Sequence, residues 1–199
     1  PVVELLEGDL TAYVPTNLVS MTDGQLYLSL PLFNEGFRPA VDVGLSVSRV
    51  GSKVQWKAMK KVSASLRLEF IQFKELLRVS KLQTGGQSEE MRQKLSDGRL
   101  LQALLTQPPN SPVPIEVQIM LFYAKESGIL KGVEKEQLVQ VQTGLLDFAQ
   151  KTDPGLIKQM RVTKDLSDEI KQRMSDAVTA YVKVIKEKTV EEETEVEVG

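Results

Sequence analysis

"GFRPAVDVGLSVSRVGSKVQWKAMKKV", residues 36–62, is where the texture of the chain changes. Before it, short β-prone runs are broken by turn residues; after it, apolar residues recur at steps of three and four. Near its centre stands Arg49, among small and apolar residues, with Gly44 before it, Gly51 after it and no acidic side chain beside it. An arginine so placed is ordinarily a surface or structural cation. Its environment in sequence assigns it no task.

Working back toward the start, "LTAYV" (10–14) precedes Pro15, "NLVSM" (17–21) precedes the "TDG" turn, and "QLYLSL" (25–30) precedes Pro31. These predict strands and loops up to about residue 52. Working forward, Val62, Leu66, Phe70, Phe73 and Leu77 predict a helix with one buried face. Ser88, followed by Glu89 and Glu90, can cap a helix carrying Met91, Leu95, Leu101 and Leu105. The run "QPPNSPVP" (107–114) must end it, because proline lacks a donor and clashes with the preceding turn. Pro114 suits the first turn of "IEVQIMLFYAKES" (115–127), which Gly128 can terminate.

Leu138, Val141, Leu145 and Phe148 mark another helix before Pro154, and Ile170, Met174, Ala177, Tyr181 and Ile185 mark a long last one. The final stretch "TVEEETEVEVG" (189–199) carries five glutamates and reads as a disordered acidic tail. The expected organisation is a β-rich segment over 1–55, an α-helical domain over 56–188 and the tail.

Composition excludes several functions. With 199 residues, 41% of them hydrophobic and 26% charged, the balance is that of a globular protein with a real core. A net charge of −2 supplies no basic field for wrapping nucleic acid or adhering to an anionic bilayer. No apolar run is long enough to cross a membrane, and "PVVELLEGDL" lacks the basic-then-apolar pattern of a signal peptide. Membrane association is expected only through partners. There is no cysteine and no histidine, which removes thiolate chemistry, disulfides, Ser-His and Cys-His relays and the usual zinc ligands; no metal site is expected. Neither G-x-x-x-x-G-K-[ST] nor G-x-G-x-x-G occurs, so the sequence carries no P-loop.

Two segments together go further. "AYVPTNLVSMTDGQLYL" (12–28) and "GFRPAVDVGLSVSRVGSKVQWKAMKKV" (36–62) closely resemble the alpha subunit of the F-type ATP synthase. A Pro-Thr-Asn turn, a Thr-Asp-Gly-Gln turn, an Arg-Pro-Ala and a Val-Gly-Leu-Ser-Val-Ser-Arg-Val-Gly run follow one another in that family's order and spacing. Weaker likeness continues through "LRLEFIQFKELL" (66–77), "GRLLQALLTQP" (98–108) and "PIEVQIMLFYA" (114–124), covering roughly residues 1–130. The resemblance implies an α/β fold class: the C-terminal part of a P-loop-type nucleotide-binding domain followed by an α-helical bundle.

It also implies a task for Arg49. In the family, the arginine of Ser-Val-Ser-Arg reaches the nucleotide on the neighbouring beta subunit, and a planar, permanently charged fork there stabilises the charge that phosphoryl transfer spreads over the gamma-phosphoryl oxygens. Ser20 occupies the position of a serine near the same catalytic phosphate. Arg38 and Gln107 match residues around the adenine of the alpha subunit's own non-catalytic nucleotide. Pro109 stands where a second glutamine of that pocket is usual, and "KLQTGGQSEE" (81–90) stands for an acidic loop that meets the rotating gamma subunit, here less acidic.

The expected function is therefore that of a component of the catalytic head of a rotary, proton-driven ATP synthase, enzymatic only within the complex, with ATP or ADP and Mg2+ held mainly by partner chains. Implied partners are the beta subunit, the gamma subunit, the other ATP synthase subunits and the amino-terminal part of the alpha subunit as a separate chain, since the family's barrel and P-loop lie before the matching segments. A split gene, a cleaved subunit and a partial sequence are all compatible with this. The alternative is a structural or assembly subunit derived from an alpha fragment that does no chemistry. The expected location is the mitochondrial inner membrane, matrix side and peripheral, with a bacterial or plastid energy-transducing membrane as the alternative.

Overall fold

The computed structural model describes residues 1–82 and 88–198, and the side chains of all of these except 52, 81, 82 and 189–198. The chain forms two compact units, Pro1–Gln55 and Trp56–Gly199.

The first unit opens with a 3-10 turn at Leu6–Gly8, followed by helix α1 (Tyr13–Met21), strand β1 (Gly24–Gln25), helix α2 (Leu30–Asn34), strand β2 (Val47–Ser48) and the short helix α3 (Gly51–Val54). Two of the strands expected here are thus one helix. Pro15, the residue that separates them in sequence, lies in the first turn of α1, where a missing N–H deprives no carbonyl of a partner. Thr16 Oγ1 donates to the Ala12 carbonyl at 2.8 Å in the same turn. β1 and β2 pair antiparallel, Gly24 opposite Ser48 and Gln25 opposite Val47, and Leu28 bridges Val41. An α/β class does not describe the result: among the described residues the chain is helical, with one two-residue ribbon. Leu32, Phe37 and Ala40 form this unit's small buried core.

The second unit is a bundle of α4 (Lys57–Ser63), α5 (Leu66–Leu82), α6 (Glu89–Leu105), α7 (Ile115–Glu126), α8 (Lys135–Thr152), α9 (Pro154–Thr163) and α10 (Asp168–Val198). α7 is apolar on nearly every side, and Val117, Ile119, Met120, Leu121 and Ala124 are at most 2% exposed. A helix of that kind belongs in the centre, and α4, α8, α9 and α10 pack around it. Most of the anticipated stripes are buried: Leu66, Phe70 and Phe73 on α5, Leu138, Val141 and Leu145 on α8, Ile170, Met174, Ala177 and Ile185 on α10, while Leu77, Phe148 and Tyr181 are half-buried.

Two glycines set how closely helices approach. A Cβ on Gly98 of α6 would overlap the Phe73 ring of α5, and one on Gly144 of α8 would overlap the Tyr181 hydroxyl of α10. The Tyr181 ring stacks on Phe148 with centroids 4.8 Å apart.

Helix ends follow local chemistry. Ser88 Oγ accepts the Met91 N–H at 3.3 Å, capping α6. Gly128, at φ 76°, ends α7 in the left-handed region that favours glycine. α9 was not foreseen as a separate helix, although Asp153 caps it, accepting the Leu156 N–H at 3.2 Å, and Pro154 is its first residue. Asp153 also takes a two-pronged pair from Arg173 of α10, at 2.7 and 2.6 Å. The hydrogen bond from Arg173 is the main reason the Asp153 carboxyl lies below its ordinary value. Buried Glu116, in the first turn of α7, pairs with Arg161 Nε of α9 at 2.6 Å.

α10 runs along its backbone to Val198, and the tail expected from residue 189 falls where only the backbone is described.

Candidate functional site

β1 and β2 exist because a glycine allows them to meet. Gly24 has φ 155°, and a Cβ there would run into the Val47 carbonyl and lie 3.0 Å from Ser48 Cα. The approach lets Arg49 N–H donate to the Asp23 carbonyl at 2.8 Å. Behind β2, the buried carboxylate of Asp42 accepts the Gly44 and Leu45 N–H groups at 2.9 and 3.3 Å, turning the chain toward the strand. Tyr27 N–H donates to Ser46 Oγ at 3.0 Å and Asp42 N–H to the Tyr27 carbonyl at 2.8 Å. After Arg49, Ser48 Oγ accepts the Gly51 N–H at 2.9 Å, opening α3. The backbone of Arg49 is therefore held on both sides, while its side chain is exposed. Among the described residues no hydrogen bond or ion pair occupies its guanidinium.

Ser20 lies in the last turn of α1, three residues before the Asp23 carbonyl that receives Arg49. It is exposed, and its hydroxyl donates to the Asn17 carbonyl at 2.7 Å. The ribbon thus brings "SMTDGQ" alongside "VSR" by backbone bonds, two segments that are distant in sequence. Asp42, which shapes the turn, was missed in the sequence; an Asp two residues before a glycine is the available signal.

Arg38 and Gln107 fall in different units. Arg38 is exposed, with its guanidinium carbon 4.5 Å from the centre of the Phe33 ring, a cation–π contact. Gln107 is half-buried just beyond α6, in a segment where Ser111 N–H donates to the Pro108 carbonyl at 3.3 Å and Asn110 has φ 57°. Pro109 sits exposed in that turn. Of the loop expected to meet a gamma subunit, 83–87 lie outside the described residues. Among the described residues no group of three acidic side chains could hold a metal ion.

The described chain is thus a helical unit around α7, preceded in sequence by a small unit whose ribbon ends in an exposed arginine. The chain belongs to the ATP synthase alpha/beta family: residues 55–181 match the family's C-terminal domain and residues 1–48 match its nucleotide-binding domain. Within that family it is similar to proteins named ATP synthase subunit alpha. It is 40% identical to that of Aquifex aeolicus over 91% of this chain and 36% of the relative, and 37% identical to that of Petrotoga mobilis over 94% and 37%. It is also 39% identical over 92% and 36% to a protein of Acetobacterium woodii named ATP synthase subunit alpha, sodium ion specific. The chain spans little more than a third of the length of these relatives.

Proposed function

We propose that this chain is part of the catalytic head of a rotary, proton-driven ATP synthase and supplies Arg49 to a catalytic ATP site on a neighbouring beta subunit. The observation that supports this is the state of Arg49: backbone fixed by the ribbon, side chain exposed, guanidinium without a partner among the described residues. A cation held in this way costs no neighbouring interaction when it meets a phosphate. Its planar fork matches the oxygens on which charge accumulates as the gamma-phosphoryl group transfers. Ser20 has a lesser part, since its proton must leave the Asn17 carbonyl to reach a phosphate oxygen.

In the same reading, Gln107 faces the adenine of a second, non-catalytic nucleotide, a role the resemblance assigns to Arg38 as well, with Mg2+ and the phosphates of both nucleotides held mainly by partner chains. Arg38 offers guanidinium N–H groups and Gln107 an amide; Pro109 offers neither. The gamma subunit contacts the segment around residues 81–90. The head stands on an energy-transducing membrane through other subunits, and none of the described helices is long and apolar enough to cross one. Between a mitochondrial and a bacterial membrane, the sources of the relatives favour the bacterial one. The relative named sodium ion specific makes the coupling ion a separate test: hydrolysis by the complex that depends on Na+ would replace protons in this reading.

The role of Arg49 is tested by trapping MgADP with aluminium fluoride, a mimic of the transferring phosphoryl group, in the assembled complex. Arg49→Ala should bind MgADP normally and fail to trap the fluoroaluminate. Undiminished trapping would remove Arg49 from the catalytic site.

A further inference from the structure

α6 ends where α8 holds it. Gln142, within α8 and only 4% exposed, donates from Nε2 to the carbonyls of Leu104 at 3.1 Å and Ala103 at 3.4 Å. These belong to the last turn of α6, whose carbonyls lack the donor a further helical turn would supply, although the Ala103 carbonyl also accepts the N–H of the capping Thr106. Gln142 Oε1 is buried and has no hydrogen-bond partner among the described residues. The reverse amide orientation would set an oxygen against two carbonyl oxygens, so Nε2 belongs where it is. A leucine would occupy similar volume without leaving an acceptor unpaired in the interior, which is a costly feature. What the amide supplies and leucine cannot is a fixed end to α6.

That end governs Gln107. Thr106 N–H returns to the Ala103 carbonyl at 3.2 Å and Thr106 Oγ1 donates to the Gln102 carbonyl at 2.9 Å, so the helix closes one residue before Gln107. Pro108 follows and disfavours helical backbone at Gln107. The turn from Pro108 to Ser111 then fixes the far side. Gln107, half-buried between a pinned helix end and a proline turn, inherits its place from α6.

We propose that Gln142 is a positioning residue for adenine recognition: by pinning the end of α6, it sets where Gln107 presents its amide. This rests on the reading above in which Gln107 faces the adenine of the non-catalytic nucleotide. An amide recognises adenine through directional hydrogen bonds to the base edge, so a slack α6 end weakens base selectivity while phosphate contacts made elsewhere are unaffected.

The test uses the assembled complex with its catalytic sites first filled by MgADP and aluminium fluoride, and compares binding of ATP with ITP, in which a carbonyl replaces the adenine amino group. Gln142→Leu should lower the preference for ATP over ITP by about 3- to 10-fold, the worth of one hydrogen bond, with ITP binding and assembly unchanged. In a Gln107→Ala background the same substitution should have no further effect. If Gln107→Ala lowers the preference and Gln142→Leu does not, the inference about Gln142 falls and the adenine reading stands. If Gln107→Ala itself leaves the preference intact, both fall. Gln142→Met, measured alongside, fills the position with a flexible apolar chain and carries the test should the leucine variant not assemble. A preference lost with leucine but kept with methionine would make the effect one of packing and overturn the inference.

Discussion

Leu145 and Leu26 are the same residue in opposite circumstances: the first is fully buried in the helical unit, and the second is 77% exposed in the unit that carries Arg49. The contrast extends across both regions. Around α7 the helical unit has a continuous buried core drawn from α4 and α6 through α10. Among its described hydrophobic residues the Pro1–Gln55 unit buries only Leu32, Phe37 and Ala40 deeply, while Leu6, Tyr13, Met21, Leu28 and Leu30 are each more than 60% exposed. Apolar surface on that scale is characteristic of faces that meet other proteins. Stability is concentrated in one unit and the candidate chemistry in the other, where a glycine-enabled ribbon and one buried aspartate provide most of the order.

The largest expected effect tests that division directly. Leu145→Ala should cost about 2–5 kcal/mol in denaturant unfolding, through lost burial and the cavity left behind, whereas Leu26→Ala should change it by no more than about 0.5 kcal/mol. Equal effects would break the comparison. A smaller effect, about 1–3 kcal/mol and confined to the first unit, is expected of Gly24→Ala, which forces a side chain into a positive-φ position against the Val47 carbonyl. It should appear as faster hydrogen exchange of the Arg49 amide with unchanged exchange in α7.

The smallest effect is electrostatic. Because the Asp153 carboxyl is depressed on folding, chiefly by its hydrogen bond from Arg173, its contribution is present above the ordinary aspartate value near 3.8 and lost as pH falls through the folded value. The slope should therefore appear below about pH 5, in the helical unit, and Arg173→Met should remove most of it, leaving the part due to the backbone bonds from Leu156 and Gly155. A slope of the same size in that variant would assign it to other carboxylates.

Sequence made the helical unit legible because its helices are long, and burial repeats along each at three and four residues: Leu66, Phe70 and Phe73, then Leu138, Val141 and Leu145. Caps were legible where the chemistry is local, as at Ser88 and Gly128. α9 was missed because its ten residues offer few turns of periodicity, although Asp153 and Pro154 mark its start. α1 was misread because β-prone residues on either side of Pro15 suggested two strands, when a proline in a first turn is compatible with helix. The part proposed for Arg49 comes from a resemblance covering its motif, while the ribbon that fixes its backbone was not legible. Glu116 and Gln142 were not, because each acts on a partner brought near only by the fold, Arg161 of another helix and the end of α6; Asp42 was missed although the Gly44 and Leu45 N–H groups it accepts lie two and three residues on.

The most direct measurement of the central claim is steady-state ATP hydrolysis by the assembled complex carrying Arg49→Lys. Lysine keeps the charge and loses the planar fork. The account predicts a complex that assembles and binds nucleotide normally while turnover falls steeply, toward the roughly 10³- to 10⁵-fold that an arginine supplied to a phosphoryl-transfer site is worth. Turnover within a few-fold of the parent would contradict it, return Arg49 to the role of a surface cation and leave the chain as a structural or assembly subunit.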